Sequence, residues 1–148
     1  MFFILKYDNR PNTFTQYPFI SGIVGLGRIG QTVQKMLTPF GVSKFLYHGR
    51  NKLSEDLENG AEFANFEDLL QKSDFVIATC ALTEDTKNLF DKKAFAKMKK
   101  SAVFVNTARG GVVNQDDLVQ ALQNGEISMA GLDVMTPEPL PLDHPLTK

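Results

Sequence analysis

From residue 22 onward, two hydrophobic rhythms alternate along the chain. Short β-branched or aromatic runs give way to stretches in which apolar residues recur at helical spacing. "GIVGL" reads as a buried strand, and "IGQTVQKMLTPF" as a helix turning Val33, Met36 and Leu37 inward. "KFLYH" is a second strand, "LSEDLEN" a short helix capped by Ser54, and "AEF" a brief third strand. "NFEDLLQKS" predicts a helix capped by Asn65, with Phe66, Leu69 and Leu70 facing the core. "DFVIATC" is apolar but too short for a helix, so it is a fourth strand. "DKKAFAKMKK" is a helix with a solvated basic face, and "AVFVN" a fifth strand. "NQDDLVQALQNG" carries both helix-end signals: Asn114 as N-cap with acids in the first turn, and Gly125 at the stop. "MAGLDV" closes the series as a sixth strand.

This alternation predicts an α/β fold: a doubly wound, Rossmann-type parallel sheet with helices on both faces. Ligands in such sheets bind beyond the carboxyl ends of the strands, where strand order reverses. The first residues do not follow the pattern. "KYDNRPNTFTQYPF" has the composition of turns and loops. Residues 1–20 are therefore expected to form a divergent arm, either loosely packed or a strand and loop of another domain. Residues 21–148 are expected to form a single domain, which closes in "TPEPLPLDHPLTK", a proline-rich extended loop.

Composition narrows the function. A chain of 148 residues is the size of one domain with a real core. A net charge of −1 gives no basis for a nucleic-acid footprint or a polybasic membrane patch. No apolar run is long enough to span a bilayer. "MFFILK" lacks the basic flank and cleavage site of a signal peptide. The single cysteine, Cys80, excludes an internal disulfide framework and fits a reducing compartment, so a cytoplasmic location is expected. One cysteine and two histidines, His48 and His144, argue against a metal site. Cys80 is expected to be a packing residue rather than a nucleophile.

Gly25-Leu26-Gly27-Arg28-Ile29-Gly30 fits G-x-G-x-x-G between a strand and an amphipathic helix. Gly25 allows the tight turn, Gly27 lets a pyrophosphate approach the backbone, and Gly30 lets the helix pack on the strand. Free N–H groups at the helix start then face the phosphates. The next strand ends in His48, Gly49, Arg50, Asn51 and Lys52, where an acid usually grips the adenosine ribose. An acid there would repel a 2′-phosphate. Arg50, aided by Lys52 and His48, would attract one, and Gly49 leaves room for it. The expected cofactor is NADP(H), with NAD(H) the weaker alternative.

"LTEDTKNLF", "FAKMKKSAVFVNTARGGVVNQDDLVQALQNGEI" and "AGLDVMTPEPLPLDHPL" resemble the nucleotide-binding domain of the D-isomer-specific 2-hydroxyacid dehydrogenases. Within that family the resemblance is greatest to the animal reductases of glyoxylate and hydroxypyruvate, and it runs from about residue 22 to residue 147. The first twenty residues do not resemble the family's lead-in to the glycine turn. The resemblance implies reduction of a small 2-keto acid to the 2-hydroxy acid. It implies that Leu26, Gly27, Arg28 and Ile29 border the pyrophosphate and that residues 49–52 surround the 2′-phosphate. Ala81 would line the cofactor near its ribose, and Thr107 would contact the nicotinamide side. Arg109 matches the arginine that holds the substrate carboxylate and polarises its carbonyl. Asp133 matches an acid orienting the nicotinamide or substrate region, and Glu138 the glutamate paired with a catalytic histidine. Leu82, Thr83 and Thr86 are expected only to shape a turn.

The family's histidine lies in a "PHIG"-type loop beyond that glutamate, and no such loop precedes Lys148. His144 sits in a different motif, "LDHPL", and is not its substitute. The sequence thus predicts a domain truncated before the catalytic loop, without the family's substrate domain, and of low or no turnover. The alternative is a non-catalytic NADP(H)-binding or dimerisation module. The family pairs its nucleotide-binding domains, which makes a homodimer through this surface the expected assembly.

Overall fold

The computed structural model describes residues 2–4 and 19–147. In chain order the elements are β1 (Phe2–Ile4), β2 (Phe19–Val24), α1 (Arg28–Leu37), β3 (Val42–His48), α2 (Glu55–Glu58) and β4 (Glu62–Phe63). There follow α3 (Phe66–Lys72), β5 (Phe75–Ala78), α4 (Lys92–Lys97), β6 (Val103–Asn106), α5 (Gln115–Gln123) and β7 (Met129–Leu132). The strands form one sheet in the order β1-β7-β6-β5-β2-β3-β4. From β2 the chain moves outward through β3 and β4. It then returns to the other side of β2 and continues through β5, β6 and β7. Strand order therefore reverses between β2 and β5.

The six strands expected from the sequence are all present and parallel. β2 starts at Phe19, ahead of the boundary expected at residue 21. β1 is an addition: it lies antiparallel to β7, with Phe2 opposite Leu132 and Ile4 opposite Ala130. The rest of the expected arm, residues 1 and 5–18, lies outside the described residues.

Helices cover both faces, as the alternation requires. On one face Leu69 and Leu70 of α3, Phe95 of α4, and Leu118 and Leu122 of α5 pack with Val24, Val76, Ala78, Phe104 and Ala130. On the other, Ile23, Leu26, Phe45, Tyr47 and Ala61 form a smaller cluster against which Leu37 of α1 packs. Each fully buried leucine or phenylalanine contributes roughly 1.5–3 kcal/mol.

Two local expectations need correction. Met36 does not face inward; it is 65% exposed, and α1 buries Gly30 and Gln34 instead. The missing side chain at Gly30 brings the helix close to the β2 turn, which also turns Gln34, one helical turn on, inward. There its Nε2 donates to the carbonyls of Glu58 and Asn59 at 3.1 and 2.9 Å, so an amide fills a place that periodicity assigns to an apolar residue. Ser54 precedes α2, but its side chain makes no cap hydrogen bond.

Candidate functional site

The parallel strands deliver their following loops to one edge of the sheet, and the reversal between β2 and β5 opens a crevice there. The turn after β2 closes tightly. Gly25 has φ +99°, a left-handed conformation that favours glycine, and its N–H donates to the His48 carbonyl at 2.8 Å. A Cβ on it would lie 2.7 Å from the backbone N and Cα of Cys80. The Thr79 hydroxyl donates to the Gly25 carbonyl at 2.8 Å and ties the turn to the end of β5. Gly30 is buried, and a Cβ there would stand 2.5 Å from the same carbonyl.

α1 begins directly after this turn, and no side chain caps it. The helices of the opposite face differ: Asn65, Asp91 and Asn114 each accept a hydrogen bond from the first turn of α3, α4 and α5. The open N–H groups of α1 carry its positive end of the helix dipole. Nothing would meet a Cβ at Gly27 within 4 Å, so the approach to those groups is clear. Leu26 is buried beneath the turn, and Arg28 and Ile29 are exposed beside it. These residues fit the pyrophosphate of a dinucleotide.

After β3, Arg50, Asn51 and Lys52 are exposed and Gly49 half-buried. Among the described residues no carboxylate pairs with Arg50 or Lys52. His48 is engaged elsewhere. Its Nδ1 lies 3.1 Å from the Ala64 carbonyl and must donate to it, and its ring lies beside Phe63 and Phe66. That leaves Arg50 and Lys52 as the free cations of this loop.

The remaining residues come from β5, β6 and β7. Ala81 is exposed just past β5, and its carbonyl accepts from the Thr86 hydroxyl at 2.6 Å, the turn-shaping role expected of Thr86. Thr107 anchors to the Ala78 carbonyl through its N–H at 3.2 Å and its hydroxyl at 3.3 Å. Arg109 is exposed, with Nη1 donating to the Ala108 carbonyl at 2.7 Å. Its turn is held by Asn106, which is 1% exposed, donates to the Arg109 carbonyl and accepts from the Ala108 N–H, each at 3.0 Å. Gly110 packs so closely on the Met135 carbonyl and the Thr136 hydroxyl that any side chain would collide with them. The Arg109 turn therefore abuts the loop that carries Asp133 and Glu138, both exposed. The Gln115 amide fixes this loop by donating to the Thr136 carbonyl at 2.7 Å and accepting from its N–H at 3.0 Å.

Every sequence-derived site residue thus lies on one edge of the sheet. Sequence reasoning missed the supporting residues Thr79, Asn106 and Gln115. The one available signal was a polar residue ending an apolar strand, as in "FVN" and "IAT". Among the described residues no group of His, Cys, Asp and Glu could hold a metal ion, and no helix is long and apolar enough to cross a membrane. Burial pushes the Cys80 thiol above its ordinary pKa, the opposite of what a nucleophile needs.

A profile of the D-isomer specific 2-hydroxyacid dehydrogenase NAD binding domain matches residues 15–148. The chain belongs to that family. A glyoxylate reductase/hydroxypyruvate reductase of Homo sapiens is 55% identical over 126 residues, covering 84% of this chain and 38% of that relative. A glyoxylate/hydroxypyruvate reductase B of Escherichia coli is 47% identical over 127 residues, covering 84% of this chain and 39% of the relative. Among solved structures, a glyoxylate reductase from Paecilomyes thermophila superposes with a TM-score of 0.81 at 39% identity, over 86% of this chain and 40% of that one. The chain therefore spans less than half the length of the relatives it matches. Membership makes this an NAD-binding domain of the 2-hydroxyacid dehydrogenases.

Proposed function

We propose that this domain binds NADPH in preference to NADH and serves the reduction of a small 2-keto acid, glyoxylate or hydroxypyruvate, to the 2-hydroxy acid. The observation that carries the cofactor preference is the loop after β3: two unpaired cations, Arg50 and Lys52, and no acid. Bound NADPH supplies the hydride. Residues 25–30 hold its pyrophosphate through backbone N–H groups and the helix end. Residues 49–52 hold the 2′-phosphate, with Asn51 as a neutral donor between the two cations. Ala81 and Thr107 line the path towards the nicotinamide. Arg109 anchors the keto acid's carboxylate, Asp133 orients the reacting groups, and Glu138 steadies a histidine acid in the complete active site. Cys80 as single cysteine supports work in a reducing compartment, the cytoplasm.

A fluorescence titration with NADPH and NADH in parallel tests the reading. NADPH should bind about tenfold tighter or better, and Arg50→Ala should remove most of that margin, since a charge-assisted hydrogen bond contributes about 1.5–3 kcal/mol. Equal binding of both cofactors would overturn it. A second reading, association with another copy, is favoured by the outer face of α1. Met36 is 65% exposed there, and Phe40, just beyond the helix, is 77% exposed. Sedimentation would separate a dimer from a monomer.

A further inference from the structure

A single buried hydroxyl holds one end of the exposed loop at residues 49–52. Tyr47 on β3 is 1% exposed, and its hydroxyl accepts a hydrogen bond from the Leu53 N–H at 2.8 Å. The same hydroxyl donates to Glu58 Oε1 at 2.7 Å. Glu58 is itself buried, and its carbonyl, with that of Asn59, accepts from Gln34 Nε2 on α1. An unbroken chain of contacts therefore runs from α1 through α2 to Tyr47, and ends on the backbone where the loop ends.

The start of the loop is fixed as well. The His48 carbonyl accepts from Gly25 N–H, the residue that opens the phosphate turn. Between these anchors, residues 49–52 make no hydrogen bond among the described residues. The course of the loop is thus set by its two ends. One end is tied to the pyrophosphate turn and the other, through Glu58 and Gln34, to the helix that follows it.

We propose that Tyr47 is the positioning residue of the 2′-phosphate loop, holding Arg50 and Lys52 in register with the pyrophosphate turn. The proposal rests on the NADPH reading above. Arg50 and Lys52 are long, flexible side chains, so a loop fixed before binding leaves less freedom to be lost when the phosphate arrives. Tyr47 never meets the cofactor; it acts through the backbone. Burial raises its pKa above the usual tyrosine value, so the hydroxyl keeps the proton it donates to Glu58.

Calorimetric titration of the chain with 2′,5′-ADP and with 5′-AMP isolates the added phosphate from the adenosine. The wild-type chain should prefer 2′,5′-ADP by about tenfold or more. Tyr47→Phe keeps the ring and its edge contact with Phe63 but removes the hydroxyl. It should cut the preference by roughly threefold to tenfold, the worth of one or two hydrogen bonds, and leave 5′-AMP affinity within about twofold. A preference unchanged in Tyr47→Phe, or an equal loss for both nucleotides, would make Tyr47 a stability residue only and overturn the proposal. A wild-type chain that binds both nucleotides alike would sink the NADPH reading, and the proposal with it. Hydrogen exchange in the unliganded wild-type chain tests the anchor without any variant. The Leu53 amide should exchange about tenfold or more slowly than those of residues 50–52, and equal rates would overturn the proposal even if Tyr47→Phe fails to fold.

Discussion

Replacing Gly25 or Gly27 with alanine makes the same chemical change two positions apart, and the geometry predicts opposite consequences. At Gly25 an alanine must keep φ near +99°, which costs an L-residue about 1–2 kcal/mol. Its methyl would also stand 2.7 Å from the Cys80 N and Cα, well inside the 3.4 Å at which ordinary contact begins. Those are backbone atoms, held by the ladder between β2 and β5 and by the Thr79 hydroxyl, so relief requires the strand ends to part. Overpacking of that kind costs about 1–3 kcal/mol. The expected loss is about 2–5 kcal/mol, a large share of the roughly 5–15 kcal/mol that holds a domain folded. Gly27 has φ −82° and open space around its Cβ position, so alanine there should change stability by no more than about 1 kcal/mol. The methyl would instead occupy the approach to the uncapped end of α1, and NADPH affinity should fall about tenfold or more. Urea unfolding followed by circular dichroism, with a fluorescence titration of NADPH on each variant, measures both quantities. Gly25→Ala as stable as wild type would refute the account of the turn. Gly27→Ala that binds NADPH normally would refute the account of the phosphate site.

Two further outcomes follow from burial. Gln34→Ala should destabilise by about 1–3 kcal/mol, because it leaves the Glu58 and Asn59 carbonyls without their amide partner, whereas exposed Met36→Ala should stay within about 0.5 kcal/mol; the reverse order in urea unfolding would put Met36 back in the core. Cys80 should react with a disulfide reagent more slowly at pH 7.5 than a free thiol and speed up as pH rises towards its raised pKa, since less of it is thiolate at neutrality; a rate matching free glutathione would contradict its burial.

What was legible in the sequence divides by distance along the chain. The glycine turn after β2 could be read because its geometry is set by backbone within one hexamer, where a left-handed φ and close packing require glycine. The caps of α3 and α5 were legible for the same reason: Asn65 and Asn114 bond to the third residue on. Met36 was misread because periodicity reports which face of a helix is apolar, not whether that face is covered. Ile29 and Met36 of α1 point outward, and the sheet side receives Gly30, Gln34 and Leu37. β1 was illegible because its partner β7 lies at the other end of the chain.

The supporting residues were hidden by the same logic, and they reveal how the site is built. Arg109 is a sequence signal, yet it is Asn106, a buried amide, that sets the turn on which it stands. Arg50 and Lys52 are legible as cations without an acid, but the loop that carries them ends on a tyrosine hydroxyl from the buried face of β3. Glu138 is legible by its motif, while its loop is fixed by Gln115 from α5 and by the missing side chain of Gly110. In each case an exposed charged residue that would meet a ligand is separated from a neutral polar residue that fixes its backbone. Physical chemistry favours that division. A charged group must stay near solvent until its partner arrives, because burying it unpaired costs several kcal/mol, whereas a hydroxyl or amide with all its hydrogen bonds made can sit in the core at little cost. Substituting the exposed member should therefore change affinity with little effect on stability, and substituting Asn106 or Tyr47, both buried, should change both. That contrast separates the two kinds of residue at this edge of the sheet without knowledge of the substrate.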